Sequence, residues 1–227
     1  MQCVILAAGR GKRMKGLTKN TPKPMLRIGR CSILEHKVKM LPKSIKEIIF
    51  IVGYCAENVM EIFGKEFDGR KIHYVFQKKL NGTGGALHLA KSILEDKFMV
   101  MMGDDLYVKK DIVKILKNDL AVLAKEVENP SDFGILATNR RGYLEEVIEK
   151  PKRPKGNLAN AAVYVLNKDF FNYELVSIGN GEFGLPQTLA KMTDKYKIKV
   201  EKASLWHPIS CQEDLESAEK IIGKFTK

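Results

Sequence analysis

The 227-residue sequence lacks the features that mark several large classes of protein. No apolar run comes near the roughly 18 residues that a membrane-spanning helix needs, so we expect no membrane partner. The four cysteines lie far apart without a Cys-x-x-Cys pair, and the four histidines show no metal-ligand spacing. Zinc and thioredoxin-type sites therefore have no support. The first residues place charge after an apolar run, the reverse of a secretory signal, and we expect a cytoplasmic protein.

Acidic residues are absent from the first 34 positions, which hold eight basic side chains, in a chain whose net charge is +12. Such a block attracts anions, whether nucleic acid, phosphorylated metabolites or acidic lipid. Aromatic residues that could stack on bases are missing from the same stretch, so nucleic acid is not an expected partner. No linker, low-complexity tract or hexapeptide repeat is present, and we predict one domain over residues 1–227.

Apolar strands and amphipathic helices alternate in the first half of the chain, and strands dominate after about residue 110. Strands that are apolar throughout and alternate with helices indicate a parallel sheet covered on both faces. The sequence predicts an α/β fold, a Rossmann-like doubly wound mixed sheet whose second half adds antiparallel strands. The predicted strands are 4–8, 47–53, 72–76, 98–102, 121–127, 134–138, 144–148, 161–166 and 198–200. The predicted helices are 33–40 with Ser32 and Glu35 as a capping box, 56–65, 83–94, 185–193 and 212–224.

The first predicted strand runs into a glycine-rich turn that contains Gly9 and Gly11. Glycines separated by one residue let backbone N–H groups approach phosphate oxygens. The third glycine of the dinucleotide fingerprint and the Gly-Lys-Ser/Thr of a Walker loop are both absent, so neither NAD nor P-loop chemistry is favoured. Arg13 and Lys23 add positive charge to the turn. Prolines on both sides of Lys23 restrain its backbone, which lowers the entropy cost of holding it against a phosphate.

Two further predicted strand ends carry polar groups that suit a nucleotide and a cation. Gln77 precedes a glycine-rich helix start at Gly82, and an amide that both donates and accepts suits the edge of a pyrimidine. Asp104 and Asp105 follow the strand 98–102, where carboxylates suit Mg²⁺, although Asp105 could equally cap a helix. Ligands of open parallel sheets bind beyond the carboxyl ends of the strands, which is where these residues fall.

Taken together, these motifs resemble the sugar-1-phosphate nucleotidyltransferases, a family that contains glucose-1-phosphate thymidylyltransferase and UTP–glucose-1-phosphate uridylyltransferase. The resemblance extends from residue 4 to about residue 215. It implies the nucleotide-diphospho-sugar transferase fold, with a nucleotide-binding half over about 1–110 and a sugar-phosphate-binding half over about 111–227. It also implies that a nucleotidyl group passes from an NTP, with dTTP or UTP favoured, to a sugar 1-phosphate, and that pyrophosphate leaves. The family resemblance is compatible with a homo-oligomer.

The resemblance further implies roles for individual residues. Arg13 would contact the triphosphate, Lys23 would contact the phosphates undergoing transfer, and Asp104 would bind Mg²⁺; these are the predicted catalytic residues. The predicted nucleotide-binding residues are Leu6, Ala8, Gly9, Gly11, Lys12, Gln77, Gly82 and Thr83. The predicted sugar-phosphate-binding residues are Gly134, Glu149, Lys150 and Asn160.

Three positions depart from the family pattern. Lys12 stands where the family usually has Thr or Ser, and Ala162 replaces a glycine and would narrow the sugar pocket. Pro208 replaces the second metal-binding aspartate, so Asp104 would hold Mg²⁺ with water and substrate phosphates alone. Two alternatives stay open at this point: cytidylyl transfer to phosphocholine or inositol phosphate, and a non-catalytic regulatory relative, for which Pro208 is the main argument.

Overall fold

A ten-stranded mixed sheet organises the computed structural model, which describes residues 1–225. The strands are β1 (Gln2–Leu6), β2 (Arg27–Ile28), β3 (Cys31–Ser32), β4 (Glu47–Val52), β5 (Glu66–Phe67), β6 (Arg70–Phe76), β7 (Lys97–Met102), β8 (Asp105–Tyr107), β9 (Ala121–Glu126), β10 (Gly134–Thr138), β11 (Leu144–Glu149), β12 (Leu158–Asn167), β13 (Val176–Gly179), β14 (Glu182–Gly184), β15 (Lys199–Lys202) and β16 (Trp206–Pro208). The α-helices are α1 (Ile33–Met40), α2 (Ala56–Phe63), α3 (Gly82–His88), α4 (Lys109–Ile115), α5 (Leu185–Lys191) and α6 (Gln212–Ile221). Short 3-10 helices cover Lys12–Thr18, Lys23–Met25, Pro130–Asp132, Lys168–Asn172, Met192–Asp194 and Ile222–Lys224.

Four parallel strands in the order β7-β1-β4-β6 form the centre of the sheet. They are apolar and buried along most of their length because both faces of the sheet are covered. Side chains alternate between two separate cores: Cys3 and Ile5 belong to one, and Val4 and Leu6 to the other. The predicted doubly wound arrangement is therefore confirmed for the first half of the chain.

The second half of the chain extends the same sheet with antiparallel strands. β12 pairs with β7 and β9, β10 pairs with β11 and β12, and β15 runs parallel to β9. The predicted mixed sheet is confirmed. No helix among residues 1–225 is long and apolar enough to cross a membrane.

Local signals predicted some elements well and others poorly. The capping box of α1 is present, since Glu35 N lies 3.1 Å from Ser32 Oγ and Ser32 N lies 2.7 Å from Glu35 Oε2. The helix predicted over 83–94 is wrong in length: α3 ends at His88, and the next residues form turns with i to i−3 bonds that leave Ile93 exposed. Helix α4 and the pairings β13–β14 and β8–β16 were not predicted from the sequence.

The order of the parallel strands opens a crevice between β1 and β7. The strands β4 and β6, which follow β1 in the chain, lie on one side of β1 within the sheet. The chain then returns, and β7 pairs with the other edge of β1. Leu6 and Met102 are paired in the last register position of the two strands, after which their loops separate. Such a switch point is where open α/β sheets bind ligands.

A local strain lies in the middle of β12. Ala162 has a φ of +53°, a left-handed conformation that costs an L-residue with a Cβ roughly 1–2 kcal/mol. The pairing with β9 shifts its register between Asn160 and Tyr164, so the strained residue sits in a bulge. The Asn160 side chain stabilises the bulge, because its Oδ1 accepts a 2.9 Å bond from Ala162 N and its Nδ2 donates to Tyr164 Oη at 2.8 Å.

We predict that Ala162→Gly raises the free energy of unfolding by about 0.5–1 kcal/mol, because relief of the left-handed strain exceeds the added entropy of the unfolded chain. Urea unfolding monitored by circular dichroism measures the change. Ala161→Gly is the matched control, since Ala161 is fully buried in the same strand and has no positive φ. It should lose stability, and a loss in both variants would contradict the assigned strain.

Candidate active site

Three adjoining cavities follow the crevice, and Met102 lines all of them. The glycine-loop cavity, of about 600 Å³, extends from Gly9 and Gly11 to Gln77. The Asp104 cavity, of about 310 Å³, lies beside Asp104. The Glu149 cavity, of about 390 Å³, lies over β10, β11 and β12. A ligand with several parts could therefore occupy one continuous path across the carboxyl ends of the strands.

All eight residues predicted to bind the nucleotide line the glycine-loop cavity. The loop that follows β1 is shaped by Gly11, which has a φ of +61° and lies so close to Lys23 that a Cβ would be 2.7 Å from that of the lysine. Thr18 Oγ1 lies 3.1 Å from Gly11 O, and Tyr54 Oη donates to Thr18 O at 3.1 Å. These contacts tie the phosphate-loop candidate to the body of the sheet.

The far wall of the glycine-loop cavity is Gln77 and the start of α3. Gln77 is buried, and its Nε2 donates to Asn81 Oδ1 at 3.0 Å and to Gly82 O at 3.3 Å. No hydrogen bond from residues 1–225 reaches its Oε1, so this atom can accept one from a ligand. Gly82 has a φ of +86°, and a Cβ there would be 2.4 Å from Phe183 O in β14. Glycine is therefore required where α3 begins.

All three predicted catalytic residues line the Asp104 cavity, although Arg13 and Lys23 are 81 or more residues from Asp104 in sequence. Lys23 Nζ lies 2.7 Å from Asp104 Oδ2. The lysine side chain is 8% exposed and the aspartate 29% exposed, so this pair is shielded far better than a surface ion pair. It links the loop after β1 to the loop after β7.

Asp105 has a different environment from its neighbour. It begins β8 instead of capping a helix, and its carboxylate is buried, with Trp206 Nε1 donating at 3.0 Å and Tyr107 Oη at 3.3 Å. Burial, and then repulsion from Asp104, raise the pKa of the Asp105 carboxyl to about 6. Beneath it, the fully buried Lys37 donates to the Asp105 carbonyl at 2.6 Å. Asp105 thus stabilises the turn that contains Asp104, and it is not among the residues that line the cavity.

The buried amine of Lys37 predicts a pH dependence of stability. Burial lowers the pKa of Lys37 from 10.5 to about 8, despite the opposing effect of Asp105. Between these values the unfolded chain binds more protons than the folded one, so this residue's contribution to the free energy of unfolding rises with pH. We expect the stability of the wild type relative to Lys37→Met to increase from pH 8 to pH 10, measured by urea unfolding.

Lys46→Met provides the control for this prediction, because Lys46 is an exposed lysine at the end of the α1–β4 connection. Its stability difference from the wild type should stay flat over the same interval. A flat difference for Lys37→Met as well would show that the buried amine does not titrate there.

The Glu149 cavity contains three of the four residues predicted to bind the sugar phosphate, namely Gly134, Glu149 and Asn160. Lys150 is exposed and is not among the residues that line the cavity. Asn160 already bonds Ala162 and Tyr164 within β12, a structural use that the sequence did not reveal. Ala162 is among the residues that line the cavity, and its narrowing effect stays a prediction.

Several residues that line the cavities were not predicted to do so. Arg10 and Glu182 reach the glycine-loop cavity, Ser210 reaches the Asp104 cavity, and Gln187 reaches the Glu149 cavity. Arg10 belongs to the glycine-rich turn, and its charge was a signal available in the sequence. The others depend on contacts between distant segments, such as the packing of β14 against the start of α3 through the 2.9 Å bond from Phe183 N to Asn81 O.

The metal-binding capacity of the site depends on Asp104. Pro208 lies in β16 opposite Asp105 and offers no side-chain oxygen. Among residues 1–225, no group of three or more His, Cys, Asp and Glu side chains could hold a metal. The Asp104 Oδ1 has no hydrogen bond from these residues, and a single carboxylate completed by water and phosphates is a donor set that Mg²⁺ accepts. The residues present therefore fit Mg²⁺ through one carboxylate.

Comparison with known proteins places this geometry in a family. The protein-family model described as nucleotidyl transferase matches residues 2–219 of this chain. The chain belongs to the nucleotidyl transferase family. The resemblance seen in the motifs is thereby confirmed, while the role of each site residue stays a prediction.

Individual relatives within the nucleotidyl transferase family differ in length. The chain is 33% identical over 225 residues to the bifunctional protein GlmU of Methanocaldococcus jannaschii, covering 98% of this chain and 54% of that protein. It thus spans about half the length of the first curated relatives that it matches. It is 30% identical over 242 residues to the UTP–glucose-1-phosphate uridylyltransferase AglF of Haloferax volcanii, covering 100% of this chain and 98% of the relative.

A solved structure supports the same family fold. The protein from Bacillus anthracis, assigned as a glucose-1-phosphate thymidylyltransferase and crystallised with sucrose, superposes with a TM-score of 0.88 at 27% identity. The match covers 97% of this chain and 94% of the other. The chain thus shares the overall fold of this solved structure.

Proposed function

We propose that this chain transfers a nucleotidyl group from dTTP or UTP to a sugar 1-phosphate, releasing pyrophosphate and forming an NDP-sugar. The observation that carries the proposal is the continuous path of three cavities past Met102. The glycine-loop cavity suits a base, the Asp104 cavity is lined by cations, and the Glu149 cavity is lined by hydrogen-bonding side chains. Family membership and the names of GlmU and AglF support the same reaction class.

The free acceptor of Gln77 favours a base with an N–H donor on its pairing edge. Uracil and thymine present such a donor at N3, and cytosine presents one at its exocyclic amino group. The Gln77 Nε2 is held by Asn81 and Gly82, so the amide is oriented with Oε1 towards the ligand. This arrangement accommodates dTTP or UTP, and the relatives named GlmU and UTP–glucose-1-phosphate uridylyltransferase AglF support transfer to a sugar 1-phosphate over cytidylyl transfer to phosphocholine or inositol phosphate.

The reaction needs no nucleophile from the protein. A phosphate oxygen of the sugar 1-phosphate attacks the α-phosphorus, a new P–O bond forms, and the bond to pyrophosphate breaks. Arg13 and Lys23 would stabilise the charge that spreads over the phosphates in the transition state. Asp104 holds Lys23 in place before the substrates bind, whereas Arg13 is exposed and forms no ion pair with residues 1–225. Lys23 exchanges part of its interaction with Asp104 for one with phosphate. When bound at Asp104, Mg²⁺ would neutralise phosphate charge and orient the reacting groups.

The sugar phosphate would enter through the Glu149 cavity. The exposed carboxylate of Glu149 can accept hydrogen bonds from hydroxyl groups, and Gln187 in α5 offers an amide in the same cavity. Asn160 stabilises the bulge of β12 and thereby sets the floor of this cavity. Sugar choice would therefore depend on Glu149, on the shape of the bulge and on Gln187.

A substrate grid tests the proposal. Pyrophosphate release is measured with Mg²⁺ for dTTP, UTP, CTP, GTP and ATP against several sugar 1-phosphates, phosphocholine and inositol phosphate. We expect release with dTTP or UTP and one sugar 1-phosphate, together with an NDP-sugar identified by mass spectrometry. Asp104→Ala should lower kcat/KM by about 100-fold or more, the scale of losing one preorganised charge-stabilising group.

Asp119→Ala is the matched control for the grid, since Asp119 is fully exposed and forms an ion pair with Lys97 on the surface. It should retain wild-type activity. Release with CTP and phosphocholine or inositol phosphate would replace the proposed substrates. No release in any well, from folded protein also tried with Mn²⁺, would overturn the proposal and favour the non-catalytic alternative that Pro208 suggests.

A further inference from the structure

Basic side chains outnumber acidic ones around the Asp104 cavity. Lys12, Arg13 and Lys23 line it, against the single carboxylate of Asp104. Lys23 is paired with that carboxylate. Neither Lys12 nor Arg13 forms an ion pair with any of residues 1–225. The cavity thus keeps two cations available for a polyanion before any metal is added.

Lys12 holds a particular place among these cations. It lines both the glycine-loop cavity and the Asp104 cavity, whereas Arg10 lines only the first and Arg13 and Lys23 only the second. It follows Gly11, whose left-handed conformation turns the chain at the junction of the two cavities. A triphosphate whose base contacts Gln77 and whose reacting phosphate lies near Asp104 must pass this junction.

Carboxylates that would bring a metal to the same phosphates are scarce. Asp105 is committed to Trp206 and Tyr107 in the interior, and Pro208 offers no oxygen on the neighbouring strand. A metal held by Asp104 alone depends on the phosphates themselves for most of its ligands, so little metal is bound before the nucleotide. Charge neutralisation of the incoming triphosphate must then come first from side chains.

We propose that Lys12 enables this site to bind a triphosphate without a divalent cation. In a site with a second metal-binding carboxylate, a bound metal ion would supply positive charge at the junction. Here the ammonium group of Lys12 supplies that charge. This inference rests on the proposed function in taking a nucleoside triphosphate as the ligand of the two cavities. It goes beyond that function because it concerns whether binding of the triphosphate needs a metal ion. A measurement of turnover does not answer that question.

Isothermal titration calorimetry tests the inference with inorganic tripolyphosphate and UTP as probes. Each is titrated into metal-stripped protein in EDTA and, separately, into protein with millimolar MgCl₂. For the wild type we expect a Kd in EDTA within about tenfold of the Kd in Mg²⁺. Lys12→Thr should weaken binding in EDTA by about 10- to 100-fold, the scale of a hydrogen bond to a charged group, and by less in Mg²⁺. Lys12→Arg should retain metal-free binding.

Lys19→Thr is the matched control, because Lys19 is an exposed lysine of the same connection that lines neither cavity. It should bind like the wild type, which separates the position of Lys12 from its effect on net charge. Lys12→Gln repeats the test with a longer neutral side chain, and thermal unfolding of each variant shows that it is folded.

Metal-free binding by Lys12→Thr and Lys12→Gln as tight as that of the wild type would overturn the inference. So would wild-type binding that is absent or needs Mg²⁺. These titrations contain no sugar phosphate and involve no turnover. A substrate grid without product would therefore overturn the proposed function, while the dissociation constants decide the role of Lys12 independently.

Discussion

The ion pair between Lys23 and Asp104 joins the two loops that the sheet topology separates. β1 and β7 are hydrogen-bonded neighbours up to Leu6 and Met102, and the loops beyond them diverge. Prolines on both sides of Lys23 restrain its backbone, and Gly11 packs closely against its Cβ. The phosphate-loop candidate and the metal-carboxylate candidate are thereby held together as one unit.

Two adjacent aspartates, Asp104 and Asp105, have different environments after the end of β7. Asp104 faces the cavity, whereas Asp105 is buried among Trp206, Tyr107 and the carbonyl-bound Lys37. A buried polar group is tolerated only when it is hydrogen-bonded, and here the bonds connect α1, β8 and β16 under the site. The turn that presents Asp104 is therefore supported from the interior. Burial lowers the pKa of Lys37 and raises that of Asp105, while the attraction between the two groups opposes both shifts.

Much of the fold could be predicted because its signals are local. Apolar runs placed the four parallel strands, and Ser32 with Glu35 marked the start of α1. The incorrect and missing predictions also come from relying on local signals. α3 was predicted too long because its apolar spacing continues beyond His88, where the backbone tightens into turns. The short strands β8, β13, β14 and β16 carry no clear periodicity, since each is stabilised by its partner more than by its own pattern.

By itself the sequence determined the parallel half of the sheet, the glycine turn and the position of Lys23 between two prolines. It also showed that Lys12, Ala162 and Pro208 depart from the family pattern. These features depend on residue type and near neighbours. Only the tertiary structure brought Glu182 and Ser210 to the cavities, left Lys150 outside, committed Asn160 to a bulge and buried Asp105. Those outcomes depend on contacts between residues far apart in the chain, such as Asp105 and Trp206, which are 101 positions apart. Spacing along a chain cannot encode them, because they arise when strands and loops pack in three dimensions.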